Sequence, residues 1–491
     1  MMFIQPCWVT RLTLFSLGIL LPLLLLQAQA EDELFNIVAI RDTSTLEAKV
    51  ISDWAVSAKE PTIRQKLIEI TVCEWWPGET VRLPVTLNAP ADGSVCQNLI
   101  IANQGLVDRA TLPTKGQLTL MKEHGVGVVL IGMSTIDKMK PVGKLHLGMK
   151  ERLLATKNPR YTVAWVWGMS QMRALTAAMS EPEVFQPEKV LTTGGSKRGV
   201  AATVAGIVDD RFTAILPVVA PIMGNPGTPS FVEGAEPERI LRANEAFLEK
   251  ADPGHAQAFR ERAVRRSNHR VTLEQAKAAV WNATDIESMT DLVWDVTRIT
   301  NFLPEVKARG LDYFWNVGTN DSVSPALLEV GKQYPEFPLC IIPSGQHGGP
   351  ATAGYTTRVP TLPEVEANFL SFALYHFKRA RSMPGPPIIV VDLIENGGVK
   401  VTAVFPDGLK PEMNELSFVF NRNEPYTLAF EFDEWSTVEM ARKAPGVYEA
   451  EIALPNDVSV KSLDLVTVHR HVENGLPITF SGPYQRVDSF E

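Results

Sequence analysis

Cysteine is scarce in this chain: four residues in 491, with no C-x-x-C pair and no zinc-finger spacing. The eight histidines form no H-E-x-x-H pattern, and neither a Walker motif nor a dinucleotide fingerprint occurs, so no metal or organic cofactor is implied. Positive charge is not in excess either. Lys and Arg number 47 against 56 Asp and Glu, a formal net charge of -9. That argues against nucleic acid as the main partner, because neutralising phosphates requires a basic face. Low-complexity bias is also missing. At 45% hydrophobic and 21% charged the composition is globular, and 491 residues are too many for one ordinary core, which suggests two or three domains.

Long apolar runs are missing everywhere except near the N-terminus. Arg11 precedes a run from Leu12 to Leu26, broken only by Thr13, Ser16, Gly18 and Pro22, and then come Gln27-Ala28-Gln29-Ala30 and the acidic Glu31-Asp32-Glu33. Small residues at Ala28 and Ala30 fit a signal peptide over residues 1–30, cleaved after Ala30. The run is short against the roughly 20 apolar residues of a membrane span. The expected location is periplasmic or secreted, with no stable membrane span after cleavage; the alternative is an uncleaved anchor. Export would remove Cys7. Cys73 and Cys96, in neighbouring strand-like segments, could then pair in an oxidising compartment, while Cys340, inside Pro338-Leu339-Cys340-Ile341-Ile342, reads as a small buried hydrophobe.

From about residue 65 to 380 strand-like and helix-like segments alternate, as in βαβ units with a mostly parallel sheet. Strands are expected at Leu67–Cys73, Val81–Leu87, Asn98–Asn103, Val126–Ile131, Lys189–Thr193, Phe212–Ala220, Leu311–Val317 and Leu339–Ile342, and helices at Trp165–Met179, after Ser196, and at Glu364–Lys378. Between Pro221 and Arg309 the sequence turns polar and helical, which reads as a cap inserted at about 222–309, over the strand ends where open α/β sheets bind ligands. The hydrolase-like part then spans 31–381 and a Pro- and Gly-rich linker 382–387. A β-sandwich of short strands follows over 388–491, with strands expected at Ile388–Leu393, Val399–Val404, Leu416–Phe420, Thr427–Phe432, Tyr448–Leu454 and Leu463–His469. His469 and His471, two apart on the last of these, share a face and read as a surface pair.

The chemistry concentrates at Val190-Leu191-Thr192-Thr193-Gly194-Gly195-Ser196-Lys197-Arg198-Gly199. A buried strand ends in a tight turn holding a serine and a helix begins at once, the setting of a nucleophile elbow. Gly194, two before the serine, removes a side chain that would collide with the turn. The helix N-terminus favours developing negative charge at the same place. Arg198 stands where the common G-x-S-x-G form has its second glycine, and Gly199 follows one later. Taken alone, the segment could equally be a serine N-cap. Downstream, the strand at 312–317 ends in Gly318-Thr319-Asn320-Asp321, and the strand at 339–342 ends in Pro343-Ser344-Gly345-Gln346-His347-Gly348-Gly349. An acid and a histidine, each just past a strand end, complete the chain order Ser, Asp, His of α/β-hydrolases. The expected roles are Ser196 as nucleophile, His347 as its base and Asp321 as the carboxylate that orients it. The expected oxyanion donors are the backbone of Lys197 and of Gln104 or Gly105, in the loop after Ala102-Asn103. Arg198 is expected to pair with Asp209 or Asp210.

Gly-Gly-Ser-Lys-Arg-Gly, followed by Val208-Asp209-Asp210-Arg211-Phe212-Thr213-Ala214-Ile215 and Pro217-Val218-Val219, resembles the PhoPQ-activated pathogenicity-related family, whose hallmark is a Gly-x-Ser-Lys-Arg-Gly-Trp elbow with a following Asp-x-Arg. Here Val200 replaces the Trp, and the usual Asn-rich run after Pro221 is missing. The resemblance, over about residue 95 to the end, implies a signal peptide, an α/β-hydrolase domain and a β-rich C-terminal domain. The stretch from Trp165-Val166-Trp167-Gly168 through the elbow is also similar to glucuronoyl-esterase-like carbohydrate esterases, in which a basic residue directly after the serine assists the oxyanion; Lys197 holds that position. Both resemblances imply that Ser196 and His347 are catalytic. The implied activity is that of a serine esterase on a small-molecule or carbohydrate ester. A serine peptidase or amidase acting on a peptide, and a non-catalytic binding protein on a hydrolase scaffold, remain as alternatives.

Overall fold

The computed structural model describes residues 35–76, 78–103, 110–133, 151–158, 163–223, 237–267, 273–286, 298–322, 326–347, 358–394, 397–423, 429–456 and 459–488. The expected signal segment 1–30 and the loop holding Gln104 and Gly105 lie outside these residues.

The first sheet uses strands β1 (Lys49–Val56), β2 (Ile63–Trp76), β3 (Glu79–Pro90), β4 (Cys96–Asn103), β5 (Gly127–Ile131), β6 (Phe185–Gly195), β7 (Ala214–Val218), β8 (Asp312–Tyr313), β9 (Trp315–Gly318) and β10 (Leu339–Ile342). Their order is β1-β2-β3-β5-β4-β6-β7-β9-β10, with β8 beside β7. The pairs from β5 through β10 are parallel, whereas β3 runs antiparallel to both β2 and β5, and β1 antiparallel to β2. Two reversed strands, β1 and β3, near the start of an otherwise parallel sheet, with a crossover between β4 and β5, give the α/β-hydrolase arrangement. The central strands are apolar without alternation because helices cover both faces. All of β5, Gly127-Val128-Val129-Leu130-Ile131, is buried.

The helices α1 (Lys115–His124), α2 (Val163–Met179), α3 (Lys197–Val208) and α4 (Pro363–Lys378) flank this sheet. Thr114 and Gln117 close a capping box at the start of α1, and Gly125 ends it at φ 65°. The small residues of α3 allow close approach. A side chain at Gly206 would run into Ile215 of β7, and one at Gly168 of α2 into Val204 of α3. Asp209, fully buried after α3, accepts hydrogen bonds from Arg211 and Arg41. This corrects the expected pairing with Arg198, since the buried carboxylate faces those two guanidinium groups. Between β7 and β8 the described residues include the helices Pro237–Ala243, Glu245–Lys250, Pro253–Ser267, Leu273–Ala278 and Leu303–Ala308, and no strand.

Past residue 387 the chain forms two antiparallel sheets. The first orders β11 (Ile388–Ile394), β12 (Gly398–Val404), β16 (Val447–Ala453) and β15 (Ala441–Ala444). The second orders β14 (Ser436–Glu439), β13 (Met413–Phe420), β17 (Leu463–Glu473) and β18 (Leu476–Ser481), with β19 (Gln485–Val487) beside β17. Strand β17 is covered on both faces. Leu463 and Leu465 share a cluster with Val399, Val401 and Ile452 of the other sheet, whereas Val466 and Val468 pack with Trp315, Leu339 and Ile341 of the hydrolase sheet. Ser481 Oγ accepts from Ile341 N at 2.9 Å, and Asn368 of α4 binds the backbone of Thr479 on β18.

Three expectations need correction. The strand expected at Thr427–Phe432 is a 3₁₀ turn over Ala429–Phe432. His469 is fully buried, not a surface residue; its ring lies 4.9 Å from that of Phe405, and its Nδ1 is 2.9 Å from Asn414 Oδ1. Cys73 and Cys96 are free buried thiols, because β3 and β5 lie between their strands. Cys340 is fully buried, and burial pushes its thiol up to about 12, as expected of an inert small hydrophobe.

Candidate active site

Strand β6 delivers the chain to Ser196, and α3 leaves from it. The serine sits at φ 58°, ψ -131°, a conformation costing a residue with a Cβ on the order of 1–3 kcal/mol. The turn is held by Ser196 N donating to Val218 O and Val200 N donating to Ser196 O, each at 2.9 Å. Two glycines make it possible. A Cβ on Gly194 would sit 2.6 Å from Arg198 O, and one on Gly199 would sit 2.7 Å from Ala220 Cβ. Gly195 has no such constraint, its nearest neighbour being Val218 O at 3.8 Å. The displaced second glycine therefore serves the close approach of α3 to β7.

Asp321 and His347 follow the carboxyl ends of β9 and β10, which are parallel neighbours. Their loops interlock: Thr319 N donates to Ile342 O, Asn320 N to Gly345 O, and Ser344 N to Thr319 Oγ1. A side chain on Gly318 would strike Gly345 O at 2.1 Å. This contact brings the three polar groups into line. His347 Nε2 is 2.6 Å from Ser196 Oγ, and His347 Nδ1 is 2.9 Å from Asp321 Oδ1. The carboxylate is fully buried and the imidazole is 25% exposed, so the acid is shielded from solvent more completely than the histidine. Lys197 is the first residue of α3, among the amides that a helix cannot satisfy by itself. Gln104 and Gly105 lie outside the described residues.

A second hydroxyl–histidine–carboxylate line provides a contrast. His376 Nε2 is 2.9 Å from Thr213 Oγ1 and its Nδ1 is 2.7 Å from Asp312 Oδ2. It lies at the opposite end of the sheet, where β7 and β8 begin. The Thr213 hydroxyl is also engaged by the amide and carbonyl of Val190, and burial lowers the imidazole pKa. That line fastens α4 to the sheet. Among the described residues no cluster of His, Cys, Asp and Glu is arranged to hold a metal.

The model of the PhoPQ-activated pathogenicity-related protein family matches residues 154–226. The matched stretch runs from before α2 through the elbow to just past β7. No curated protein matches the chain. Solved structures similar to it include an acetyl xylan esterase from Paenibacillus sp. R4, at 14% identity over 70% of this chain and 92% of that one, with a TM-score of 0.43. A glucuronoyl esterase from Solibacter usitatus is 15% identical over 68% and 86% of the two chains, at a TM-score of 0.34. Acetyl Xylan Esterase 1 from Thermoanaerobacterium sp. JW/SL YS485 is 10% identical over 70% and 94%, at 0.37.

Sequence reasoning missed the groups behind this line. Asn320 Nδ2 donates to Asp433 O at 2.6 Å and to Glu431 O at 3.4 Å, and Asn320 Oδ1 accepts from Trp435 Nε1 at 3.1 Å. Gln346 Nε2 donates to Glu431 O at 3.1 Å. Arg422 binds Thr319 O and pairs with Asp433 at 3.1 Å. These partners come from the segment between β13 and β14, more than 80 positions away, and no local pattern announces them.

Proposed function

We propose that this chain is an exported serine hydrolase that cleaves a carboxylic ester through an acyl-enzyme intermediate. The observation that carries the reading is the unbroken line Ser196 Oγ, His347 Nε2, His347 Nδ1, Asp321 Oδ1 at 2.6 and 2.9 Å, built on a strained serine elbow. A neutral hydroxyl is a poor nucleophile, and a neutral imidazole at hydrogen-bond distance is the base that corrects this. His347 takes the Ser196 proton as Oγ bonds to the acyl carbon. Asp321 holds Nδ1 protonated and stabilises the imidazolium. The anionic tetrahedral oxygen is met by the Lys197 amide and by a second amide in the loop after β4, at Gln104 or Gly105. His347 then gives its proton to the departing alkoxide. Water repeats the cycle and releases the acid and Ser196.

The preference for an ester over a peptide follows the elbow's likeness to carbohydrate esterases, with Lys197 directly after the nucleophile. Acetylated xylan and glucuronoyl esters therefore belong in the first substrate panel. In this reading residues 31–381 form the catalytic unit, 222–309 its cap and 388–491 the β-sandwich. The apolar run Leu12–Leu26 followed by Ala28 and Ala30 supports removal of residues 1–30 on export to the periplasm or medium. Among the described residues no helix is long and apolar enough to cross a membrane.

A fluorophosphonate probe tests the reading. The mature protein is expected to be labelled and Ser196→Ala to be unlabelled. A folded protein that takes no label and hydrolyses no ester in the panel would mean that the scaffold binds without turning over.

A further inference from the structure

A turn between β13 and β14 packs against the loops that carry Asp321 and His347. The residue directly before the acid, Asn320, and the residue directly before the base, Gln346, donate to the same carbonyl, Glu431 O, at 3.4 and 3.1 Å. That carbonyl belongs to the 3₁₀ turn Ala429–Phe432. Asn320 is fully buried and its amide is saturated: Nδ2 donates to Glu431 O and Asp433 O, while Oδ1 accepts from Trp435 Nε1 and Thr319 Oγ1. Trp435 N also donates to Ser344 Oγ at 3.2 Å, so the histidine loop is gripped twice. Arg422 locks the turn from behind. It binds Thr319 O and Asp433, donates to Tyr484 Oη at 2.5 Å, and lies over the rings of Phe430, Trp435 and Tyr484. The outer side of the same turn faces the inserted helices, with the Phe432 ring 5.0 Å from Phe247 and 5.2 Å from His255.

The geometry points to Asn320 and Gln346 as positioning residues that set the Asp321–His347–Ser196 alignment through one shared anchor, the Glu431 carbonyl. The inference rests on the esterase reading above. A merely packed domain has no need to place a polar anchor against the neighbours of both catalytic side chains. A base displaced by a fraction of an ångström loses its bond to the nucleophile, so the anchor acts on kcat and on the proton affinity of His347, and little on substrate binding.

The test uses the full mature chain and the ester on which the wild type turns over. Asn320→Leu and Gln346→Leu are each expected to lower kcat by about 10- to 100-fold with KM within about threefold, and to move the acidic limb of the kcat/KM profile. The double variant is expected to lose less than the product of the two, because both act through one carbonyl. Trp435→Phe keeps a ring and removes a single donor; its limb should move in the same direction by less, which gives a second reading if a leucine variant fails to fold. An active wild type with folded variants whose kcat and pH limb stay within twofold would overturn the positioning role while leaving the esterase reading intact. A wild type that neither labels nor turns over would defeat the esterase reading itself.

Discussion

Ser196 Oγ lies 2.6 Å from His347 Nε2, although 151 positions separate the two residues. Parallel pairing brings them together. Strands β6, β7, β9 and β10 all end at one edge of the sheet, so a residue just past β6 and a residue in the loop past β10 face the same space. The carboxylate enters between them because β9 neighbours β10.

The Asp321–His347 bond is expected to be worth more to rate than to stability. Asp321→Asn keeps size and burial but presents an amide that no longer requires a proton on Nδ1, so the wrong imidazole tautomer faces Ser196. A loss of about 10⁴-fold in kcat is expected, with the circular dichroism spectrum and urea midpoint near wild type. Steady-state hydrolysis of the best ester checks it, and a loss below tenfold would remove Asp321 from the proposed line.

The two elbow glycines separate from the third. Gly194→Ala puts a methyl 2.6 Å from a backbone oxygen that cannot move without distorting the first turn of α3, whereas Gly195→Ala meets only Val218 O at 3.8 Å. Gly194→Ala is expected to lose label incorporation and about 1–3 kcal/mol of stability. Gly195→Ala should keep the wild-type melting point and its labelling. Equal damage in both would mean that the turn is tight for another reason.

Asp209 predicts a loss of stability without a loss of mechanism. Its buried carboxylate receives Arg211 at 2.6 Å and Arg41 at 2.8 Å, and Arg211 is itself largely buried. Asp209→Leu leaves that guanidinium without its counter-charge, at a cost of about 3–5 kcal/mol. The urea midpoint should fall sharply, while kcat measured well below the transition stays near wild type. An unchanged midpoint would show that solvent already compensates both arginines.

The serine elbow is legible because strand, turn and helix are contiguous in the chain. Asp321 and His347 were legible because each follows a predicted strand within a few residues. What stayed hidden depends on distant partners. Strand β1 is exposed along nearly its whole length, so no burial alternation marks it. The turn at 429–432 is apolar like a strand, yet one of its carbonyls, Glu431 O, accepts from both Asn320 and Gln346. His469 continues the side of β17 on which Leu463 and Leu465 lie, and its burial depends on Asn414 and Phe405, which are more than 50 positions away.

His469 yields the last prediction. Burial without a compensating charge pushes its pKa down to about 3, against about 6.5 for an unperturbed histidine. The sign follows from the proton count. Between those two values the unfolded chain binds a proton that the native core refuses, so stability is intact above pH 6.5 and is lost as pH falls toward 3. The limiting slope is about 1.4 kcal/mol per pH unit. His469→Leu gives up the bond to Asn414 and should be less stable at neutral pH, but it should lose less than the wild type between pH 6.5 and 4. Urea midpoints for both proteins at the two pH values decide it. Parallel losses would mean that the native state takes up the proton at His469 as readily as the unfolded chain, and that the acid sensitivity comes from groups elsewhere.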